Sequence, residues 1–437
     1  MRVIYEILKF IVKIAILIYY RKVTVVNRKQ LRFRGPAIVV SNHPCTLMDP
    51  LNAGVWAREQ FYFLANAGLF KSKFGNWFFN TFYCIPISRM QDTGGKPVNN
   101  AANFARADAH LARGGTLFIA PEGDSWMRRR VSKLKTGTVR IAFNSESQHN
   151  YDLDLKIVPV GLTYSDPTAF RGEVLVNVGE YLYVRDFKNQ YEQDPVEATK
   201  LVTQVLEDRL KTQTVDTLDD EEDAFVKKLE ILLQNNQPLQ PEAAFHRTKN
   251  LIVALRDRQS KDKVDFTNFK QQVNDYFTIL QKHKISDDVI AHSNRGFLLH
   301  ILILLIGLPI FLYGAVNHLF AAGIPYLAAW ILVKRMKLYI GYTSTIKYAV
   351  GVLTVPLFYW LQSEWIQKWF STEMSWWYLL SLPVAGLLAW EYFVLARKIL
   401  KKTQLLFLKE KRILQFTRNG IINKIVAVRS VVQIPTK

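Results

Sequence analysis

Cysteine is nearly missing. The 437-residue chain has two, Cys45 and Cys84, in different segments and at no metal-ligand spacing. Their scarcity excludes a disulfide framework and a thiolate-held metal centre, and fits reduced thiols facing a cytosol. Acid is short as well: 37 Asp and Glu stand against 57 Lys and Arg, a formal net charge of +20. Such an excess calls for an anionic partner, whether nucleic acid, an anionic lipid surface or a phosphorylated substrate. At 49% hydrophobic and 22% charged residues, the composition excludes disorder and fits a globular or membrane-associated chain. A leader-type cleavage site is also lacking, because the apolar stretch 3–20 runs into Arg21-Lys22.

What is there begins with that stretch. Arg2, Glu6, Lys9 and Lys13 recur at helical spacing and mark one narrow polar stripe. This suits a membrane-associated helix over residues 1–22, with a helix packed on the domain's own core as the alternative. Short apolar runs at 37–40, 61–64, 84–87, 116–119, 157–160 and 174–178 are separated by helix-sized gaps. They predict an α/β domain over residues 23–190, a mixed sheet flanked by helices. Pro159 argues against a mid-sheet place for its strand.

Asp194-Pro195 reads as a helix start, and the acidic knot 219–223 as a solvated helix start or linker rather than a metal site. Residues 191–293 form a helical extension. Residues 294–400 read as an all-α membrane region of about four spans. There, 296–333 folds as a hairpin around Gly307, Pro309, Gly323 and Pro325, while 348–361 and 377–396 make a second pair. Lys334, Arg335, Lys337 and Lys347 flank the middle connection, and residues 401–437 form a basic cytoplasmic tail. The positive-inside rule then puts both termini, and the α/β domain, on the cytoplasmic side of a multi-pass protein.

Three polar motifs follow strands, where α/β sheets place functional residues. After 37–40 comes Ser41-Asn42-His43-Pro44, with Asp49 a turn or two later. A carboxylate can fix the imidazole in one tautomer and make it a general base for a hydroxyl. A His followed closely by an Asp also arises by chance, and Cys45 beside it has only His43 to activate it as a nucleophile. After 84–87 stands Ser88-Arg89, whose guanidinium fork suits a phosphate or carboxylate. After 116–119 comes Pro121-Glu122-Gly123-Asp124-Ser125, a carboxylate and a flexible turn. Lys133 and Lys135 then open a helix whose N-terminal amides and cations suit an anion.

In order, Asn42-His43 with Asp49, Ile85-Pro86-Ile87-Ser88-Arg89, Phe118-Ile119-Ala120-Pro121-Glu122-Gly123 and Val158-Pro159-Val160 resemble the four blocks of the glycerophospholipid acyltransferase superfamily. That superfamily includes glycerol-3-phosphate and lysophosphatidic acid acyltransferases. The C-terminal spans are similar to those of the branch with fungal-type glycerol-3-phosphate acyltransferases. The resemblance implies His43 as base, Asp49 as its partner, and no acyl-enzyme intermediate. Arg89 and the Glu122-Gly123 turn would hold the phosphoglycerol part of the acceptor, with Asn42, Ser88, Pro121, Ser125 and Lys135 completing the binding set.

Three departures stand out. Five residues, not the usual four, separate His43 from Asp49; one extra residue turns a side chain by about 100° on a helix. The pairing therefore requires the extra residue in the turn before the helix, where Pro44 would start it. The third block continues Asp124-Ser125-Trp126 in place of Thr-Arg-Ser. A Lys used by the lysophosphatidic acid enzymes falls on Asn66, with Lys71 or Lys135 as substitutes.

The expected function is O-acyl transfer from acyl-CoA or acyl carrier protein to glycerol 3-phosphate or 1-acylglycerol 3-phosphate in phospholipid synthesis. The acyl donor is a co-substrate; no cofactor and no metal are called for. Another lysolipid or an aminoacyl lipid is the alternative acceptor, and a non-catalytic scaffold for anionic lipid the alternative class. Membrane lipids are the expected partners. Nucleic acid is not one, since the aromatic residues concentrate in the apolar spans instead of interleaving with Lys and Arg.

Overall fold

β-branched runs too short for helices and too apolar for loops pair into one sheet in the first half of the chain. The structure, a computed structural model, describes residues 2–89, 92, 94–95, 97–292 and 296–426. It divides into two units, Met1–Asp216 with Lys337–Thr345, and Thr217–Met336 with Ile346–Lys437.

The first unit opens with α1 (Arg2–Tyr19) and β1 (Lys22–Val26), then β2 (Ala37–Ser41), α2 (Met48–Gly54) and β3 (Phe61–Asn66). Next come α3 (Lys73–Thr81), β4 (Cys84–Ile87), α4 (Ala101–Ala112), β5 (Thr116–Ile119) and α5 (Gly137–Gln148). β6 (Lys156–Tyr164), β7 (Glu173–Val178), β8 (Leu182–Tyr183), α6 (Lys188–Gln193) and α7 (Pro195–Gln213) complete it. The sheet order is β1-β7-β6-β2-β5-β3-β4, with β8 also on β6. β6 is antiparallel to β7 and β8, and the other pairs are parallel, so the sheet is mixed as expected. Because β2, β5, β3 and β4 all run one way, the segments following β2, β4 and β5 emerge at one edge. The core beneath them joins Ile38, Val40, Leu117 and Ile157 of the strands to Val139 and Phe143 of α5. Ala198, Val202 and Leu206 of α7 belong to the same core, so the first unit runs past residue 190.

Pro159 lies in mid-sheet, contrary to expectation, with Val40 as its neighbour on β2. On the other side β8 pairs with Lys156 and Ile157, and β7 only from Val160. The Pro159 carbonyl accepts from the Gly179 amide in the turn between them (2.8 Å). A residue's N and O point to the same side of an extended strand, so the missing N–H falls at that gap in the ladder.

α1 packs by one face and leaves a broad apolar face exposed. Lys9 Nζ donates to the Ala57 carbonyl at 2.6 Å, Lys13 sits over the Trp56 ring, and Tyr5 accepts from the Phe61 amide. Val3, Ile4, Ile7, Phe10, Ile14 and Leu17 face outward, exposed. Tyr5, Ile16 and Tyr19 are buried, so α1 packs on the domain through these residues together with Lys9 and Lys13, as the alternative expects, while Glu6 of the polar stripe and most of the apolar residues stay exposed.

On α4, His110 Nε2 donates to the Thr116 carbonyl (3.1 Å) and the ring stacks on Tyr62. Burial holds its pKa below the ordinary 6.5. The unfolded chain therefore takes up the proton first as pH falls, and stability present above 6.5 is lost toward the lower folded value. The melting temperature is expected to fall between about pH 7 and 5, with a shallower slope in His110→Phe. Equal slopes would contradict this.

The second unit holds α8 (Asp220–Asn236), α9 (Pro241–Lys261), α10 (Lys263–Lys282), α11 (Asp287–Ala291) and α12 (Phe297–Ala329). α13 (Thr343–Trp369), α14 (Thr372–Leu406) and α15 (Lys411–Val426) follow, although Thr343–Thr345 of α13 count with the first unit. Asp219 caps α8 by accepting from the Glu222 amide, so the acidic knot is a helix start.

The hairpin expected over 296–333 does not form. α12 is one helix with Pro309 and Pro325 inside it, continuing as a π-helix to Arg335. Asn317 and His318, which resemble turn residues, are hydrogen-bonded between helices instead. His318 Nε2 meets the Tyr359 hydroxyl at 2.7 Å, and Asn317 accepts from Tyr378 and Gln362. Gly314 does not make a turn either; it lets α12 lie directly on Ala385 and Ala389 of α14. Among the described residues two helices, Phe297–Arg335 and Thr372–Leu406, are long and apolar enough to cross a membrane by length and composition. α13 carries Lys347, Glu364 and Lys368. Nor do residues 401–426 form a tail: α14 runs to Leu406, and α15 buries Leu414, Ile421, Ile422 and Ile425 in the second unit. The rest of the expected tail, 427–437, lies outside the described residues.

Candidate active site

β2 ends at Ser41, and Asn42 fastens the chain to β6. Its amide donates to the Leu162 carbonyl (2.9 Å) and accepts from the Leu162 N–H (2.7 Å). His43 leaves from this anchored point. Its Nδ1 lies 2.9 Å from Asp49 Oδ2, with the imidazole 22% exposed and the carboxylate fully buried. A carboxylate can only accept, so Nδ1 carries the hydrogen and Nε2 is left with a lone pair.

The five-residue spacing is absorbed before the helix. α2 begins at Met48, which puts Asp49 in its first turn, and Thr46 takes a left-handed conformation at φ +46°. Thr46, not Pro44 at the helix start, accommodates the additional residue.

Two further donors converge on Asp49: the Cys45 amide on Oδ2 and the Tyr164 hydroxyl on Oδ1, each at 2.7 Å. Burial first, then the neighbouring carboxylate, push the Tyr164 phenol far above its ordinary range, so it stays a donor. Tyr164 is absent from the residues picked out by sequence. The signal was there: Leu162 and Tyr164 continue the alternation of β6 beyond Val160 to the same edge. Burial and the nearby Asp49 also raise the Cys45 thiol well above its usual value. Cys45 is a packing residue with no thiolate to offer.

Glu122 holds the loops of the site. Buried, it accepts from the His43 amide on Oε1 (3.1 Å) and the Ser132 amide on Oε2 (3.0 Å). Burial pushes its carboxyl up, and those two amides draw it back. Ser125 donates to the His43 carbonyl (2.8 Å) and accepts from the Thr46 amide (3.2 Å). Glu122 and Ser125, expected on the substrate, are thus bonded to the loop that carries His43, and Asn42, expected there too, is bonded to Leu162 of β6. Ser88 is likewise held through its backbone by Asn100.

The cations gather at the third block. Arg89 Nη1 donates to the Gly123 carbonyl and to Asp124 Oδ1 (2.7 Å), while Nε and Nη2 take Asp92 at 2.7 and 2.8 Å. Pro121 accepts from the Lys135 amide (2.9 Å), and the Lys135 side chain lies over Gly123. Gly123 has φ +80°, a conformation that favours glycine, and a Cβ there would displace the flexible Lys135 side chain, whose Nζ lies 2.5 Å from that position. Arg89 and Lys135 flank one turn. Asn66 caps the turn after β3 by accepting from the Gly68 amide.

Residues 22–163 match the family model described as Acyltransferase. The chain is 34% identical over 83 residues to glycerol-3-phosphate O-acyltransferase 1 of Saccharomyces cerevisiae, covering 19% of this chain and 11% of that protein. It is 29% identical over 114 residues to an uncharacterised acyltransferase of Schizosaccharomyces pombe, covering 25% and 16%. Among solved structures, the 1-acyl-sn-glycerophosphate acyltransferase PlsC of Thermotoga maritima aligns at 18% identity and a TM-score of 0.33, over 47% of this chain and 78% of that one. The chain thus spans under a fifth of the length of either curated relative. The matched stretch holds His43, Asp49, Arg89 and Glu122, and residues 22–163 carry the acyltransferase domain that the family model describes.

Proposed function

We propose that this chain moves a fatty acyl group from acyl-CoA or acyl carrier protein to a hydroxyl of glycerol 3-phosphate or 1-acylglycerol 3-phosphate. The observation that carries the reading is the partly exposed His43 ring with Nδ1 on a buried Asp49. Nε2 takes the proton of the acceptor hydroxyl as its oxygen attacks the thioester carbonyl. The C–S bond then breaks, an ester C–O bond remains, and the departing thiolate takes the proton back from the imidazolium. Asp49, with three donors on it, stabilises that imidazolium. Base catalysis of this kind contributes about 10² to 10⁴ in rate, and alignment of hydroxyl and thioester supplies much of the rest.

Arg89 and Lys135 on either side of Gly123 support a phosphorylated acceptor. Its phosphate competes with Asp92 and Asp124 for the guanidinium. Two observations support membrane attachment: the outward apolar face of α1, and the exposed Leu298, Leu305, Ile306 and Leu380 on α12 and α14. A lipid phase covers both and supplies the acyl chains.

Trapping of the released thiol by purified protein tests the reading across phosphorylated and unphosphorylated acceptors. Release is expected with glycerol 3-phosphate or its monoacyl form and not with glycerol or monoacylglycerol. Arg89→Ala is expected to raise the acceptor KM by roughly tenfold or more, from the loss of charge-assisted hydrogen bonds. Equal release with unphosphorylated acceptors sinks the phosphoglycerol assignment.

A further inference from the structure

The loop between His43 and Asp49 is also held from residues 337–345, far outside the matched stretch 22–163 and yet part of the first unit. In this strap Gly341 and Ser344 are buried. Tyr339 accepts from the Met127 amide and sets its ring edge-on to Trp126. Ser344 Oγ donates to the Pro167 carbonyl (2.6 Å), which also takes the Cys45 thiol (3.2 Å). Thr345 Oγ1 shares a hydrogen bond of 2.5 Å with Thr46 Oγ1.

Thr46 is the position that matters. A β-branched residue seldom adopts φ +46°, since its Cβ crowds the following carbonyl. Here that conformation absorbs the extra residue before α2 and lets Asp49 meet His43. The neighbours fixing Thr46 are the Ser125 hydroxyl on its amide and Thr345 on its side chain, with the Gly341 carbonyl more distant at 3.4 Å.

We propose that Thr345 is a positioning residue for acyl transfer: its hydroxyl holds Thr46 in the left-handed turn that keeps Asp49 on His43. This rests on the reading of His43 as the base. The catalytic pair then depends on a segment that runs into the first turn of α13 and lies outside the acyltransferase domain.

The test is steady-state kinetics of the full chain with saturating acyl donor. Thr345→Val keeps the shape and loses the hydroxyl. Its kcat is expected to fall roughly tenfold to a hundredfold with acceptor KM nearly unchanged, because misalignment acts on the chemical step. Thr345→Ser keeps the hydroxyl and is expected within about threefold of wild type, as a conserved hydrogen bond allows. Glycine enters φ > 0 freely, so in a Thr46→Gly background the effect of Thr345→Val is expected to shrink to about threefold or less. A Val variant with wild-type kcat, a Ser variant as impaired as Val, or an undiminished Val effect in the Thr46→Gly background each overturns the proposal. Should Thr345→Val fail to fold, Thr345→Ser decides: near-normal kcat supports the role and impaired kcat overturns it. His43→Ala is measured alongside. Inactive His43→Ala with a normal Thr345→Val removes only the strap, whereas active His43→Ala removes the base itself.

Discussion

Replacing His43 by alanine is expected to lower acyl transfer by about 10² to 10⁴-fold, the contribution of a positioned general base. The loss falls on kcat, and the melting temperature is expected to stay near that of wild type. What holds the loop is not the imidazole: Glu122 takes the His43 amide and Ser125 the His43 carbonyl. Both contacts survive truncation of the side chain. Asp49→Asn separates charge from geometry. Its amide oxygen in the place of Oδ2 still accepts from His43 and Cys45, and its NH₂ in the place of Oδ1 can donate to the Tyr164 oxygen. The tautomer is kept while the negative charge behind the imidazolium is lost, so turnover should fall between wild type and His43→Ala. Thiol release per enzyme at saturating substrates measures both. Unchanged turnover in His43→Ala would falsify the assignment of the base.

Asp49→Asn also shows where reading from sequence stops. His43 and Asp49 were legible because they follow a β-branched strand within six residues of each other. Arg89 and Glu122 were legible for the same reason, each standing after its own apolar run. Their partners are not local. Tyr164 lies 115 residues from Asp49, and Thr345 lies 299 residues from Thr46. Only the parallel order of β2 and β6, or the return of 337–345 to the first unit, brings them together. Asn42, Glu122 and Ser125, conspicuous in the motifs, are bonded to backbone groups of β6 and of the His43 loop.

The helical region misled for a different physical reason. Gly307, Pro309, Gly323 and Pro325 interrupt an apolar run as a turn would, but in an apolar helix neighbouring helices can satisfy the backbone groups that a proline frees. Asn317 and His318 find partners on α13 and α14, so nothing forces the chain to reverse. Lys401, Lys409, Lys411 and Arg412 gave residues 401–437 the look of a solvated tail. The spacing of Leu414, Ile421, Ile422 and Ile425 is the helical stripe that those charges obscured.

Arg418 in that stripe carries the other large expected effect. Its guanidinium reaches Asp287 with Nε at 2.8 Å and Nη2 at 3.3 Å, and the two side chains are 6% and 0% exposed. Tyr276 and Asn235 donate to the same carboxylate at 2.7 and 2.8 Å, so α8, α10, α11 and α15 meet on one buried charge. Arg418→Met leaves that charge without its counter-ion. The expected cost is about 3–5 kcal/mol, the usual penalty for breaking a buried pair from one side. For a unit of this size that is roughly 6–20 °C in melting temperature, followed by circular dichroism in detergent. Removing both charges together, as Arg418→Met with Asp287→Leu, is expected to recover much of the loss, because well-packed apolar groups commonly replace a buried ion pair without penalty. A single Arg418→Met variant that melts with the wild type would mean that Tyr276 and Asn235 satisfy Asp287 by themselves, and that α15 is held by its apolar stripe alone.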